Sequence, residues 1–207
     1  MNQAENPFGA LFRVGSVPLI RRTLLAPGTW LDDEVVLQLF YFMAWRKRHT
    51  AAHVCLVDSC VAESVLRGSG QARHLRASFE SGAPLVLLPL VCGSHWSLLI
   101  WRARAWYHAD SLAPFHARLA HATLERLDAL GIVARQPGAR LRSLALPRQR
   151  GGWECGLYVL QYALGAIAAS KRAGDDERRF VRELRDYCEL ACEENRLLFT
   201  AALLREL

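Results

Sequence analysis

The sequence predicts an α+β fold in a single domain, residues 1–207, with a central mixed sheet flanked by helices. Three observations carry that expectation. Residues 85–109 hold three strand-like runs in succession, joined by short connections. Helical periodicity precedes them and follows them, which is the α+β layout rather than a strict alternation of strand and helix. The chain has 207 residues, 52% hydrophobic and 22% charged, enough for one sizeable core and no second full-sized domain. Repeats, low-complexity tracts and a domain linker are absent from the sequence.

Taken in order, residues 1–28 read as loop with short extended pieces, punctuated by Pro7, Gly9, Pro18 and Pro27-Gly28. Thr29-Trp30-Leu31-Asp32-Asp33-Glu34 opens a helix that runs to about Arg48. Acidic residues in its first turn suit the helix dipole, and Val35, Val36, Leu39, Phe40 and Met43 recur at helical spacing. Val54–Val57 is a short strand, Val61–Leu66 a helical turn, and 68–82 a polar, basic surface segment of loop and helix. Leu85–Val91 is almost wholly apolar and reads as a strand buried on both faces. His95–Trp101 and Ala105–Ala109 follow, with a turn at Arg102-Ala103-Arg104. Pro114–Leu130 is an amphipathic helix closed by Gly131. Leu141–Leu146 is a fourth main strand. Helices over Trp153–Ala169, Asp175–Glu193 and Asn195–Leu207 complete the chain.

Composition excludes several function classes. No apolar run approaches the roughly 18 uncharged residues of a membrane span. The first residues lack the basic region and apolar core of a secretory signal, so the expectation is a soluble protein of the cytoplasm or nucleus. The net charge of +6 is spread along the chain, with small clusters at Arg46-Lys47-Arg48 and Arg178-Arg179 and no accompanying nucleic-acid motif. Solvated helix faces account for it. The six cysteines, at 55, 60, 92, 155, 188 and 192, form no disulfide framework. His49, His53, Cys55 and Cys60 are ligand types, but their spacing fits no zinc pattern, so no metal and no cofactor is expected.

One constellation carries chemistry. His95-Trp96-Ser97-Leu98, Asp110-Ser111 and Gln149 with Cys155-Gly156 supply a base, an acid, an amide donor and a thiol. A thiol becomes a useful nucleophile beside a base that a third group orients. Cys155 opens an apolar helix, where the dipole and free N–H groups favour a thiolate, and Gly151-Gly152 frees the backbone before it. Gln149 offers an N–H to an oxyanion. Taken singly, Cys155 reads as a buried core cysteine, His95 as a structural histidine and Asp110 as a turn former; only together do they read as a site. His108, two residues before Asp110 on the same strand face, is the rival base, ranked below His95.

These motifs resemble the ubiquitin-like-protein-specific cysteine proteases, the sentrin/SUMO-specific protease and deneddylase type. Trp30-Leu31-Asp32-Asp33, His95-Trp96-Ser97-Leu98, Asp110-Ser111 and Gln149-x5-Cys155-Gly156 occur in that family's order across roughly residues 20–170. The resemblance implies a papain-like fold, with Cys155 as nucleophile, His95 as base and then acid, Asp110 as orienter, and Gln149 with the Cys155 N–H as oxyanion hole. It implies that Trp30 and Trp96 close on a substrate's C-terminal diglycine, and that Asp33 meets the substrate tail. A slot between two indoles fits a chain without Cβ atoms; ordinary aromatic packing is the alternative for each tryptophan. Glu154 departs from the family, which has Asp before the cysteine, but keeps the charge. Residues 49–82 have no clear match to the SUMO enzymes.

The expected function is therefore a monomeric thiol isopeptidase that cleaves after the Gly-Gly of a ubiquitin-like protein. The neddylation modifier ranks first, on compact length and the His95 neighbourhood, then SUMO, then ubiquitin. The alternatives are a related Cys-His-acid acetyltransferase effector and a modifier-binding pseudo-protease. The Ala-, Arg- and Leu-rich composition suits a GC-rich genome, so a bacterial or viral protein acting in a host cytosol stands beside a eukaryotic enzyme.

Overall fold

Five strands form one mixed sheet in the order β1-β2-β3-β4-β5, the order in which the chain makes them. The computed structural model describes residues 30–40 (less 34 and 38), 54–68, 72–80, 83–133 and 141–191. The strands are β1 Val54–Leu56, β2 Leu85–Cys92, β3 His95–Arg102, β4 Ala105–Asp110 and β5 Leu141–Ser143. β2, β3 and β4 pair antiparallel, while β1 joins β2 and β5 joins β4 in parallel. The helices are α1 Ser59–Leu66, α2 Ala72–Glu80, α3 Ala117–Ala129, α4 Cys155–Ala173 and α5 Glu177–Ala191. The described residues of 33–40 are also helical, and the Asp32 carboxylate caps them by accepting the Val35 N–H at 2.8 Å.

Two apolar layers sandwich the sheet. On one face Leu85, Leu87, Trp96, Leu98, Ile100, Tyr107 and Ala109 pack against α4, α5 and the helical segment at 33–40. On the other face Val86, Leu88, Leu90, Leu99 and Trp106 pack with Leu75 of α2 and Leu127 of α3. The alternation follows the strand period of two, and β2 is apolar at every position because it serves both layers. Two-residue turns with positive φ at both positions join β2 to β3 (Gly93, Ser94) and β3 to β4 (Ala103, Arg104). That geometry matches the twist of a hairpin.

Local chemistry moves several expected boundaries. The expected helix over 153–169 starts at Cys155 and runs to Ala173, because Glu154 ties up the turn before it. Its carboxylate accepts the Arg150 and Gly151 N–H groups at 3.0 and 2.9 Å. The helix expected from Pro114 starts at Ala117, since 111–116 form a turn bound to the Asp110 carboxylate. Asp58 accepts the Cys60 N–H at 2.7 Å and so extends the expected turn at 61–66 into α1. The expected strand at 141–146 is corrected to three residues. Beyond Leu144 the chain is drawn toward α4, whose Tyr162 and Tyr158 hydroxyls donate to the Pro147 and Arg148 carbonyls. The loop expected over 1–28, the 41–48 stretch, the helix expected at 195–207, His49, His53 and Cys192 lie outside the described residues. No helix among the described residues is long and apolar enough to cross a membrane.

Candidate active site

His95 is the first residue of β3, and Asp110 the last of β4. Asp110 pairs with Ser97, so strand alternation puts His95, Ser97 and Asp110 on one face at one end of the sheet. The imidazole Nε2 lies 2.7 Å from Asp110 Oδ1, with both side chains buried. The carboxylate also accepts the Leu112 N–H on Oδ1 and the His116 N–H on Oδ2, each at 2.9 Å. Burial alone would raise the Asp110 pKa, but these donors outweigh it and lower it to about 2. Burial likewise opposes the imidazolium, yet the hydrogen bonds to Asp110 and Cys155 raise His95 to about 9.

Cys155 comes from the other side of the sheet. It heads α4, buried, with its sulfur 4.0 Å from the Ser94 carbonyl and close enough to His95 to help raise its pKa. Since Nε2 serves Asp110, Nδ1 is the nitrogen left to exchange a proton with the sulfur. The amides of the first turn of α4 have no partner inside the helix. Gly156 lets this end of the helix approach closely, for a Cβ there would come within 3.0 Å of Leu31 Cβ.

Gln149 is nearly buried and doubly held. Its Oε1 accepts the Ser111 hydroxyl at 2.5 Å, and its Nε2 donates to the Gly151 carbonyl at 2.7 Å. The Ser111 bond fixes which end of the amide is nitrogen, and a second N–H remains on Nε2. The Gln149 N–H also reaches the Ser111 carbonyl at 3.3 Å, joining this loop to the end of β4.

A cleft of about 380 Å³ runs up to Cys155 between Trp30, Leu31, Asp33, Glu63, Val91 and Trp96. The two tryptophans differ. Trp30 is half exposed, whereas Trp96 is buried and donates its indole N–H to the Leu31 carbonyl at 3.1 Å. Asp33 lines the cleft and accepts a weak bond from the Cys60 thiol at 3.3 Å; burial and the neighbouring carboxylates raise that thiol to about 11.

Trp30, Asp33, Trp96 and Cys155 thus line one cleft, His95 and Asp110 pair at the end of the sheet beside Cys155, and Gln149 is tied to the end of β4 through Ser111. His108 does not join them. It sits opposite Leu99 within the second apolar layer, and burial lowers its pKa to about 4. The neighbours that sequence reasoning missed are His116 and Phe115. His116 packs edge-on against the His95 ring at 4.7 Å. Its Nε2 must donate to the Cys92 carbonyl, 2.9 Å away, so Nδ1 accepts from Ser97 Oγ, also at 2.9 Å. Phe115 meets His95 edge-on at 5.1 Å. Neither carries a sequence signal, because both reach His95 only through the fold of the 111–116 turn. Among the described residues no group of three His, Cys, Asp or Glu side chains is placed to hold a metal ion.

Neither a protein-family model nor a curated protein sequence matches the chain. Solved structures do. The Ulp1-like SUMO protease catalytic domain of Chaetomium thermophilum is 20% identical, with a TM-score of 0.59 over 87% of this chain and 74% of that one. The Ulp1 protease domain in complex with SMT3, the yeast ortholog of SUMO, is 20% identical, with a TM-score of 0.57 over 88% and 82%. The Xanthomonas campestris effector XopD bound to ubiquitin is 24% identical, with a TM-score of 0.57 over 78% and 91%. The chain has the fold of the Ulp1-like cysteine proteases. The expected α+β, papain-like architecture is thereby borne out, with an open mixed sheet.

Proposed function

We propose that this chain is a cysteine peptidase that cleaves after the C-terminal Gly-Gly of a ubiquitin-like protein. The observation that carries the reading is the Cys155 thiol at the head of α4, beside a His95–Asp110 pair at 2.7 Å and at the end of a cleft. The similarity to structures titled as SUMO proteases, and to one bound to ubiquitin, supports the same reading.

In the proposed reaction His95 Nδ1 takes the Cys155 proton and the thiolate attacks the carbonyl carbon of the last glycine. The tetrahedral oxyanion takes the free N–H of Gln149 and the Cys155 backbone N–H. The His95 imidazolium protonates the leaving amine, the C–N bond breaks, and a thioester remains. Water then gives a proton to His95, attacks the thioester and releases the carboxylate and the thiol. Trp30 and Trp96 flank the extended tail, with Asp33 beside it. One catalytic domain acts here without a cofactor.

The modifier is the finer part of the proposal. The neddylation modifier leads on the sequence resemblance, while SUMO and ubiquitin are what the structural neighbours bind by their titles. The test incubates the protein with each modifier carrying a C-terminal electrophile and weighs the adduct. One modifier should label wild type on Cys155, and Cys155→Ala should remove both labelling and hydrolysis, to below about a thousandth of wild type. A folded protein that no modifier labels would move the weight to acyl transfer or to a binding module.

A further inference from the structure

The turn at 111–116 is held rigidly against the site and presents apolar surface. Asp110 binds its Leu112 and His116 amides, while the Ala113 N–H reaches the Asp110 carbonyl at 3.2 Å and the Phe115 N–H the Leu112 carbonyl at 3.1 Å. Leu112 is 42% exposed and Phe115 58% exposed. With Trp30 they are the exposed large hydrophobic residues among those described. Trp30 belongs to the cleft; Leu112 and Phe115 do not line it. Phe115 instead lies with its ring centre 5.1 Å from that of His95, and its tip faces Gly93, which lines the cleft.

We propose that Phe115 and Leu112 form a platform for the leaving side of the substrate, and that it takes the aliphatic stem of a lysine whose side-chain amine is being released. The inference rests on the peptidase reading above. A tail that fills the cleft ends its acyl part at Cys155, so the leaving nitrogen must come to His95 to receive its proton. The atoms beyond that nitrogen then emerge over the ring that flanks the imidazole. A lysine stem offers four methylenes there, and such stems pack along apolar surface while their polar ends stay solvated. An α-linked peptide would instead bring a carbonyl and an N–H close to the leaving nitrogen, and both need partners. The polar side chains beside this platform are already engaged: the Asp110 carboxylate holds three donors, and His116 uses both ring nitrogens. Apolar surface with its nearby polar groups engaged favours the lysine stem over a backbone.

Three reagents built on whichever modifier labels wild type test this. One joins its C-terminus to a lysine side chain, one continues it as an α-linked peptide, and one carries a propargyl amide with nothing beyond the reacting carbon. Phe115→Ser should lower kcat/KM on the lysine-linked substrate about tenfold, with the α-linked substrate and the propargyl labelling rate held within about twofold. Leu112→Ser should act in the same direction, and Phe115→Leu should restore most of the loss. The pH dependence of labelling should not move. Equal losses on all three reagents, or a shifted pH profile, would mean that the ring only positions His95 and would overturn the platform. No loss on the lysine-linked substrate would overturn it as well. A wild-type protein inert to every reagent would instead remove the peptidase reading beneath it.

Discussion

His95 combines two opposed influences, and their balance sets a measurable pH limit. Burial works against its charge, but the Asp110 and Cys155 hydrogen bonds win and hold the proton to about pH 9. A group raised in this way keeps its proton at neutral pH and loses it as pH rises through that value. In the proposed reaction the imidazolium is the acid for the leaving amine, so the alkaline limb of turnover should fall near pH 9. Asp110→Asn removes the strongest influence raising the value and leaves burial opposed only by Cys155. Its alkaline limb should move to lower pH and its turnover should fall by about 10²–10⁴-fold, as read from a pH profile of single-turnover cleavage. An unmoved limb would mean that Asp110 positions the turn at 111–116 and does not tune the base. At this scale the sequence singled out residues that the fold brings near one another: Asp110 meets His95 at 2.7 Å, and Cys155 heads α4 beside them. It was silent on Phe115 and His116, whose side chains matter through the turn that brings them to His95.

At the scale of elements, periodicity located the three central strands within one residue of their ends, because β2, β3 and β4 are buried and their pattern is unbroken. Boundaries moved where a single side chain captured the backbone, as Glu154 does before α4 and Asp110 does before α3. Such captures are tertiary or turn-specific and leave no periodic trace. His108 shows the limit of reading a strand face alone. It shares the face of Asp110, but it lies two residues deeper in the sheet, and its Nε2 has no hydrogen-bond partner among the described residues. Its pKa is lowered from the usual 6.5 to about 4, so the unfolded chain takes up a proton first as pH falls. Stability should therefore drop between about pH 6.5 and 4. His108→Leu should flatten that acid slope and raise stability by about 1–3 kcal/mol, the cost of an unmet buried polar group. Urea melts at pH 7 and pH 5 would measure both, and an unchanged slope would remove His108 as the cause.

For the whole molecule, the candidate site lies across the seam between layers: the sulfur rides on α4, while the imidazole and carboxylate ride on the sheet. Alignment of α4 depends on its close crossing with α5. A Cβ at Gly165 would come 2.7 Å from Leu184 Cδ1 and 3.0 Å from Tyr187 Cδ1. Gly165→Val should cost about 1–3 kcal/mol through overpacking. Because the strain is applied to the helix that carries Cys155, its labelling rate should fall in protein that circular dichroism still reports as fully folded. A rate that falls only in step with the unfolded fraction would show the seam to be insensitive to that crossing. The bond from the Trp96 indole to the Leu31 carbonyl spans the same seam in the opposite sense, from the strand of the base to the wall of the cleft. Trp96 follows His95 directly, so the wall and the proton-transfer nitrogen keep a spacing set by one residue of β3. In the proposed reaction that spacing would make the cleft a ruler of fixed length, and a tail lengthened by one glycine should be cut one residue out of register or not at all.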